Sequence, residues 1–326
     1  MTTECAQKNK NFALIGAAGY IAPKHFEAIK TTGNNLIAIL DPCDSVGIID
    51  RYFPDADYFR EFERFDRHIE KLKRTNDENR VHFISVCSPN YLHDAHLRFA
   101  LRVGADAICE KPLVLNPWNL DLLSSVEEET KKKINTILQL RLHPEIIALK
   151  TRLSREEKNQ QPSPIRHKVD LTYVTPRGSW YSYSWKGDEE KSGGVATNIG
   201  IHFFDMLLWV FGEMRDYRIE FNNQSKVSGW LDLERADVTW KLSIDKNDLF
   251  SDKINQAPPY KANRSLFINN EKWDFSDSFT NLHVLSYQKI LEDKGFGIED
   301  IRPAIELVYK IRNSKEKKNA KRVFCS

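Results

Sequence analysis

Three stretches of this sequence combine residue types and spacings that can do chemistry. The first is Gly16-Ala-Ala18-Gly19-Tyr20-Ile21, which follows the apolar run Phe12-Ala-Leu-Ile directly. A small-residue turn that ends a buried strand and opens a helix can aim unpaired backbone N–H groups at a diphosphate, with little side-chain bulk in the way. The spacing departs from G-x-G-x-x-G, because Ala18 stands at the second glycine position and Ile21 at the third. An ordinary tight turn would use the same residues, and Asp41 shifts the balance. It closes a second apolar run, Leu36–Leu40, about 20 residues beyond the turn, where a carboxylate can accept from ribose hydroxyls. Pro42, Cys43 and Asp44 follow it, with no arginine. A carboxylate there repels a 2′-phosphate, so the expected cofactor is NAD rather than NADP.

The second stretch is split over two strand ends. Val81–Ser88 runs into Ser88-Pro89-Asn90, with His93 close behind, and Ala107–Cys109 runs into Glu110-Lys111-Pro112. In open α/β sheets ligands bind at the carboxyl edge, where both motifs fall. Pro89 and Asn90 also suit a plain helix start. Lys111 is more pointed, since a lysine ending a buried strand is costly unless it faces a cleft or a partner charge. Beside an oxidised nicotinamide its ammonium form is disfavoured, which lowers its pKa toward a range useful for proton transfer.

The third stretch is Gly193-Gly-Val-Ala-Thr-Asn198-Ile-Gly-Ile-His202-Phe-Phe-Asp205. Asn198 and His202 are four apart and share a helical face, while Phe203 and Phe204 bury the other side. A histidine in such a helix often only packs, but a polar pair entered through a Gly-Gly turn points to a site. Upstream, Arg177 and Lys186 flank Trp180, Tyr181, Tyr183 and Trp185. The two cations can meet a carboxylate or a diphosphate, the arginine in bidentate fashion. The aromatic rings can stack on a sugar or base, or pack at a subunit interface.

These residues need a framework, and the hydropathy pattern supplies one. The first part of the chain alternates continuous apolar runs with helical stretches such as His25–Lys30 and Tyr91–Val103, which is the pattern of βαβ units around a parallel sheet buried on both faces. The second half carries polar-interleaved β segments at Lys168–Thr175, Tyr217–Phe221, Ser228–Asp232, Val238–Ile244 and Arg264–Ile268. That pattern predicts an α+β domain with a mostly antiparallel sheet covered on one face. The expected organisation is thus an α/β domain over 1–135 joined to an α+β domain over 136–326. Gly297–Arg312 has helical spacing, and Ser154–Pro164 reads as a polar surface loop.

Composition narrows the function classes. With 48 basic and 46 acidic residues the net charge is +2, which gives no ground for a nucleic-acid or membrane-surface partner. The basic tail Ser314–Arg322 reads as a solvated end. No 18 apolar residues run together, and the polar start MTTECAQKNKN lacks the apolar core of a secretion signal. Cys5, Cys43, Cys87, Cys109 and Cys325 are scattered without a C-x-x-C pair. This favours reduced thiols in a cytoplasmic protein over a disulfide framework or a metal site.

Taken in order, these pieces resemble the glucose–fructose oxidoreductase/inositol dehydrogenase/MocA (Gfo/Idh/MocA) family over nearly the whole chain. Within it the sequence is similar to the UDP-N-acetyl-2-amino-2-deoxyglucuronate 3-dehydrogenases of bacterial surface-polysaccharide and lipopolysaccharide O-antigen synthesis. The matching stretches are Gly16–His25, Gln139–Pro144, Arg177–Lys186, Lys191–Gly194 and Asn198–Asp205. Many relatives carry Asp where this chain has Asn198. The resemblance implies cofactor contacts from Gly16, Ala18, Gly19, Tyr20, Ile21, Asp41, Ser88, Pro89, Asn90, His93, Glu110, Lys111 and Arg141. It implies substrate contacts from Lys111, Arg177, Asn198 and His202, with Lys111 and His202 as the catalytic pair and either able to be the base. It further implies a Rossmann fold for the dinucleotide-binding domain over 1–135, a large open sheet in the substrate-binding and oligomerisation domain over 136–326, a homodimer or tetramer, and 2-oxoglutarate as a means of cofactor recycling. A dehydrogenase of inositol or another sugar, and a non-catalytic NAD-binding sensor, are the alternative readings.

Overall fold

The computed structural model describes residues 9–75, 78–159, 166–252, 262–275 and 281–314. It forms two compact units, Met1–Gln139 with Thr280–Arg302, and Leu140–Phe279 with Pro303–Ser326. The expected cut at 135/136 falls inside a strand of the first unit, Ile134–Thr136, whose Thr136 N–H donates to Phe296 O at 2.8 Å. No single cut separates the units, because a segment near the end of the chain returns to the first.

The first unit is a six-stranded parallel sheet in the order β3-β2-β1-β4-β5-β6. Its strands are β1 (Asn11–Ile15), β2 (Asn35–Leu40), β3 (Asp57–Phe59), β4 (Phe83–Val86), β5 (Asp106–Cys109) and β6 (Ile134–Thr136). β1 and β5 carry unbroken apolar runs at Phe12–Ile15 and Ala107–Cys109, and β4 is buried over Ile84–Val86, because both faces are covered. The helices are α1 (Ala22–Thr31), α2 (Phe62–Thr75), α3 (His93–Arg102) and α4 (Trp118–Thr130). In α1 the residues Ala22, His25, Phe26, Ala28 and Ile29 are buried, an i, i+3, i+4, i+7 stripe. They share a core with Phe12, Leu14, Ile39 and Ile108, and with Tyr287 and Ile290 from the returning segment.

In the second unit, α5 (Pro144–Asn159), α6 (Trp180–Tyr183), α7 (Glu189–Ser192) and α8 (Ile201–Phe211) accompany β7 (His167–Val174), β8 (Met214–Asn222), β9 (Lys226–Leu233), β10 (Ala236–Ser243), β11 (Asn263–Ile268) and β12 (Glu271–Trp273). The sheet order is β12-β11-β7-β10-β9-β8, and only β7–β10 runs parallel. The mostly antiparallel sheet expected from the alternating pattern is present. Burial alternates strictly along β9, as one covered face requires. On that face Phe204 meets Trp240 edge-to-face at 5.0 Å. The last two helices, α9 (Leu282–Leu291) and α10 (Ile298–Asn313), close the described chain.

One expectation needs correction. Ser154–Asn159 belongs to α5 rather than to a loop, since Arg155, Glu156 and Lys158 favour helix and Arg152 pairs with Glu156 at 3.3 Å one turn on. The rest of that loop, the basic tail beyond Ser314, the first eight residues, and Cys5 and Cys325 lie outside the described residues. The helical stretch Glu189–Phe211 is long and apolar enough to cross a membrane, but 83% of its most apolar window is buried in the fold, which makes it a core helix of this unit.

Candidate active site

The glycine turn owes its shape to one crossing. Gly16 has φ +98, and a Cβ there would sit 2.6 Å from Cys87 C and Ser88 N, both backbone atoms at the end of β4. The loop therefore needs a bare Cα at 16 and tolerates Ala18, which is exposed. Asp41 completes the cradle: its Oδ2 accepts from Ala18 N–H and its Oδ1 from Cys43 N–H, each at 2.8 Å. Each carboxylate oxygen keeps a second lone pair, as a ribose diol requires. Tyr58 Oη fixes the same turn, lying 2.7 Å from the carbonyl oxygens of both Asp41 and Cys43 with its single proton shared between them. A loop with no side chain at its crossing point beside an acid that repels a 2′-phosphate fits NAD. Tyr20 lies fully outward at 93% exposure, and Ile21 is half-buried at the entry to α1.

His93 ties together the two strand-end motifs. Its Nδ1 lies 2.7 Å from Pro112 O and its Nε2 2.8 Å from Ser88 O, so one buried imidazole bridges the ends of β4 and β5. Ser88 Oγ in turn meets His96 Nδ1 at 2.8 Å. Asn90 is buried at the start of α3, and Lys111 is half-buried beside a cis Lys111–Pro112 peptide bond. The sequence motifs at 88–93 and 110–112 thus form one edge.

Glu110 turns inward. Its Oε1 accepts from His25 Nε2 and His283 Nε2, each at 3.0 Å, and His25 Nδ1 meets Tyr287 Oη at 2.7 Å. Ser85 Oγ reaches the same Tyr287 hydroxyl at 2.6 Å. Burial alone would raise the Glu110 pKa, but the hydrogen bonds from the two histidines hold it well below the usual carboxylate range. Burial lowers the pKa of His25 despite Glu110. With His25 neutral the directions follow, Tyr287 donating to Nδ1 and Nε2–H donating to the carboxylate. His25, Glu110 and His283 could together hold a metal ion, yet both Nε2 atoms already converge on one Glu110 oxygen. Reading the sequence alone gave no role to His283 or Tyr287, which join this group from about 170 residues away through folding.

In the second unit Asn198 lies in a π-helical turn, Ala196–Gly200, immediately before α8. Such turns recur at functional positions because the wider coil shifts side chains off the regular helix face. Asn198 Nδ2 donates to Tyr181 Oη at 2.8 Å, which connects the aromatic loop to this helix. Burial raises the Tyr181 pKa, with opposing contributions from Asn198 and the Arg177 charge. His202 is half-buried on α8 and Arg177 is exposed. Arg141, which the resemblance places at the cofactor, is buried in this unit and gives two donors to Asp205, at 3.1 and 2.8 Å.

Both units match known models: residues 10–137 fit an oxidoreductase family with an NAD-binding Rossmann fold, and residues 163–231 fit its C-terminal alpha/beta domain. The chain belongs to the Gfo/Idh/MocA oxidoreductase family. Among solved structures it is similar to the WlbA (WbpB) dehydrogenase of Thermus thermophilus, in complex with NAD and UDP-GlcNAcA. The identity is 42%, over 95% of this chain and 97% of that one, with a TM-score of 0.88. The same dehydrogenase in complex with NAD and alpha-ketoglutarate matches at 41% and TM-score 0.87, with the same coverage. A curated relative, the glucose-6-phosphate 3-dehydrogenase of Bacillus subtilis, is 23% identical over 62% of this chain. The match spans 35% of the length of the Escherichia coli D-glucoside 3-dehydrogenase, at 30% identity over 40% of this chain, and 54% of the Bacillus enzyme.

Proposed function

We propose that this protein oxidises the sugar 3-hydroxyl of UDP-N-acetylglucosaminuronic acid to the 3-keto sugar, with NAD as acceptor, in lipopolysaccharide O-antigen synthesis. The observation that carries the reading is the near-full-length, 42% match to a dehydrogenase whose complex holds NAD and UDP-GlcNAcA. The chain's own residues agree with it. Gly16, Ala18, Gly19 and Asp41 form a cradle suited to a dinucleotide, and Ser88, Asn90 and Lys111 line the sheet edge where the ring end of such a cofactor belongs.

NAD, when bound, supplies the hydride acceptor, so the protein's task is to position the sugar and move one proton. His202 accepts the proton of the 3-hydroxyl, and Lys111 donates a hydrogen bond to the same oxygen as the carbonyl forms; the opposite assignment uses the same two groups. Asn198, fixed by Tyr181, orients the sugar, and Arg177 meets the uronate carboxylate. The reduced cofactor is recycled by a 2-oxo acid such as 2-oxoglutarate, in keeping with the alpha-ketoglutarate complex of the Thermus dehydrogenase. The protein acts in the cytoplasm as a homodimer or tetramer.

A second reading, oxidation of inositol or another sugar, has support in relatives named inositol 2-dehydrogenase and D-glucoside 3-dehydrogenase. The test is NADH absorbance on mixing the protein with NAD and UDP-N-acetylglucosaminuronic acid, with inositol and UDP-N-acetylglucosamine in parallel. NADH formed with the uronate alone supports the proposal. Turnover of inositol that survives Arg177→Ala favours the second reading, and bound NAD without turnover of any substrate leaves a sensor.

A further inference from the structure

The buried polar group at the end of β5 has no part in the roles above, although it lies one residue from Lys111. Its hydrogen bonds all run one way. An ionised carboxylate only accepts, so His25 and His283 each donate from Nε2 to Glu110 Oε1, at 3.0 Å. The neutral His25 ring then accepts at Nδ1, and Tyr287 gives its one proton there, at 2.7 Å. Ser85 must therefore donate to the Tyr287 hydroxyl, at 2.6 Å. The second carboxylate oxygen, Oε2, takes the Lys111 N–H at 3.3 Å. Every donor from Ser85 through Tyr287 and His25 points toward Glu110, and bonds aligned in series strengthen one another.

As scaffolding this arrangement is expensive. His25 is 0% exposed and Glu110 7%, and a buried ion with its partners is often no more stable than apolar residues of the same volume. What the network does achieve is one negative charge that stays ionised and stays in place. Burial pushes the carboxyl toward neutrality, and the two imidazoles more than reverse it. The thiols of Cys87 and Cys109 add no second charge, since burial, and after it the Glu110 carboxylate, push both well above the usual thiol range. A fixed charge at the carboxyl edge of the sheet acts on what binds there, and partly out of water it is screened little. The nicotinamide ring is positively charged when oxidised and neutral when reduced.

We propose that Glu110, held by His25 and His283, is the fixed negative charge that raises this site's affinity for oxidised nicotinamide relative to reduced, and so lowers the reduction potential of the bound couple. His25, His283 and Tyr287 are positioning residues that act through Glu110. The inference rests on NAD as the cofactor and not on which sugar is oxidised. The test is therefore made without a sugar: equilibrium titration with NAD, and separately with NADH, of the wild type, Glu110→Gln, His283→Leu and His283→Gln. Thermal unfolding of each variant shows that it is folded.

Glu110→Gln keeps the shape and removes the charge. It should weaken NAD binding roughly 10- to 30-fold while changing NADH binding less than about threefold. Each tenfold change in the ratio of the two dissociation constants raises the potential of this two-electron couple by about 30 mV. His283→Leu takes one donor from the carboxylate, so the ratio should move the same way by about threefold. His283→Gln returns an N–H donor and should recover most of that, whereas a loss of packing alone would weaken both nucleotides alike. A ratio within twofold of wild type in folded Glu110→Gln would overturn the proposal. Should that variant not fold, equal ratios in His283→Leu and wild type would overturn it instead. A wild type that binds neither nucleotide would remove the cofactor along with the inference.

Discussion

Replacing Arg141 by Met should destabilise the protein by about 3–5 kcal/mol, and replacing Asp205 by Leu as well should restore most of it. The two side chains are only 8% and 3% exposed and share two hydrogen bonds, at 3.1 and 2.8 Å. Removing the guanidinium takes both of these hydrogen bonds and a buried counter-charge from the Asp205 carboxylate, with the Lys150 charge left near it. Removing both charges in favour of apolar groups of similar volume strands nothing. With about 2.1 cal/mol/K of unfolding entropy per residue, each kcal/mol moves the Tm of this 326-residue chain by about 1.5 °C, so the Arg141→Met single variant should unfold about 4–7 °C below wild type. Calorimetric unfolding of the wild type, both single variants and the double variant, alongside NAD titration, measures the cycle. The expected result is a double variant more stable than either single one, with NAD affinity close to wild type in it. Arg141→Met with unchanged Tm but a tenfold loss of NAD affinity would refute the reasoning and return Arg141 to the cofactor.

His202→Ala or Lys111→Ala should lower kcat roughly 10²- to 10⁴-fold with NAD affinity nearly intact, as read by stopped-flow NADH formation and NAD titration; equal losses in both would remove their proposed roles. Gly16→Ala should cost about 2–5 kcal/mol and most of the NAD affinity, because its Cβ meets backbone at 2.6 Å. Gly33→Ala, also at positive φ (+73) but with nothing within 4 Å, should cost only about 1–2 kcal/mol. Asp41→Asn should raise affinity for NADP relative to NAD, since repulsion of a 2′-phosphate is removed; an unchanged ratio in paired titrations would count against its ribose contact. His96 has its pKa lowered by burial to about 4, from 6.5. The unfolded chain therefore takes up this proton first, and the associated stability, up to about 3 kcal/mol, is whole above pH 6.5 and lost as pH falls toward 4. His25, His82 and His93 shift in the same direction, so the test is a flatter Tm–pH profile in His96→Gln than in wild type.

Much of this protein was legible in its residues. The doubly covered strands at Phe12–Ile15 and Ala107–Cys109 announce themselves as unbroken apolar runs, and β9 announces one covered face by strict alternation. The glycine turn, the acid ending β2, the lysine ending β5 and the Asn198/His202 helix are local patterns, and local patterns survive in sequence. The short strands Asp57–Phe59 and Glu271–Trp273 carry too few residues to show a period. Tertiary structure alone decided the rest. It set which glycine is indispensable, because the obstruction at Gly16 is the backbone of a strand about 70 residues away. Folding brought His283 and Tyr287 under Glu110 and gave Arg141 to Asp205. Each of these depends on residues far apart in the chain, and spacing along a sequence records nothing about a partner that only chain reversal makes a neighbour.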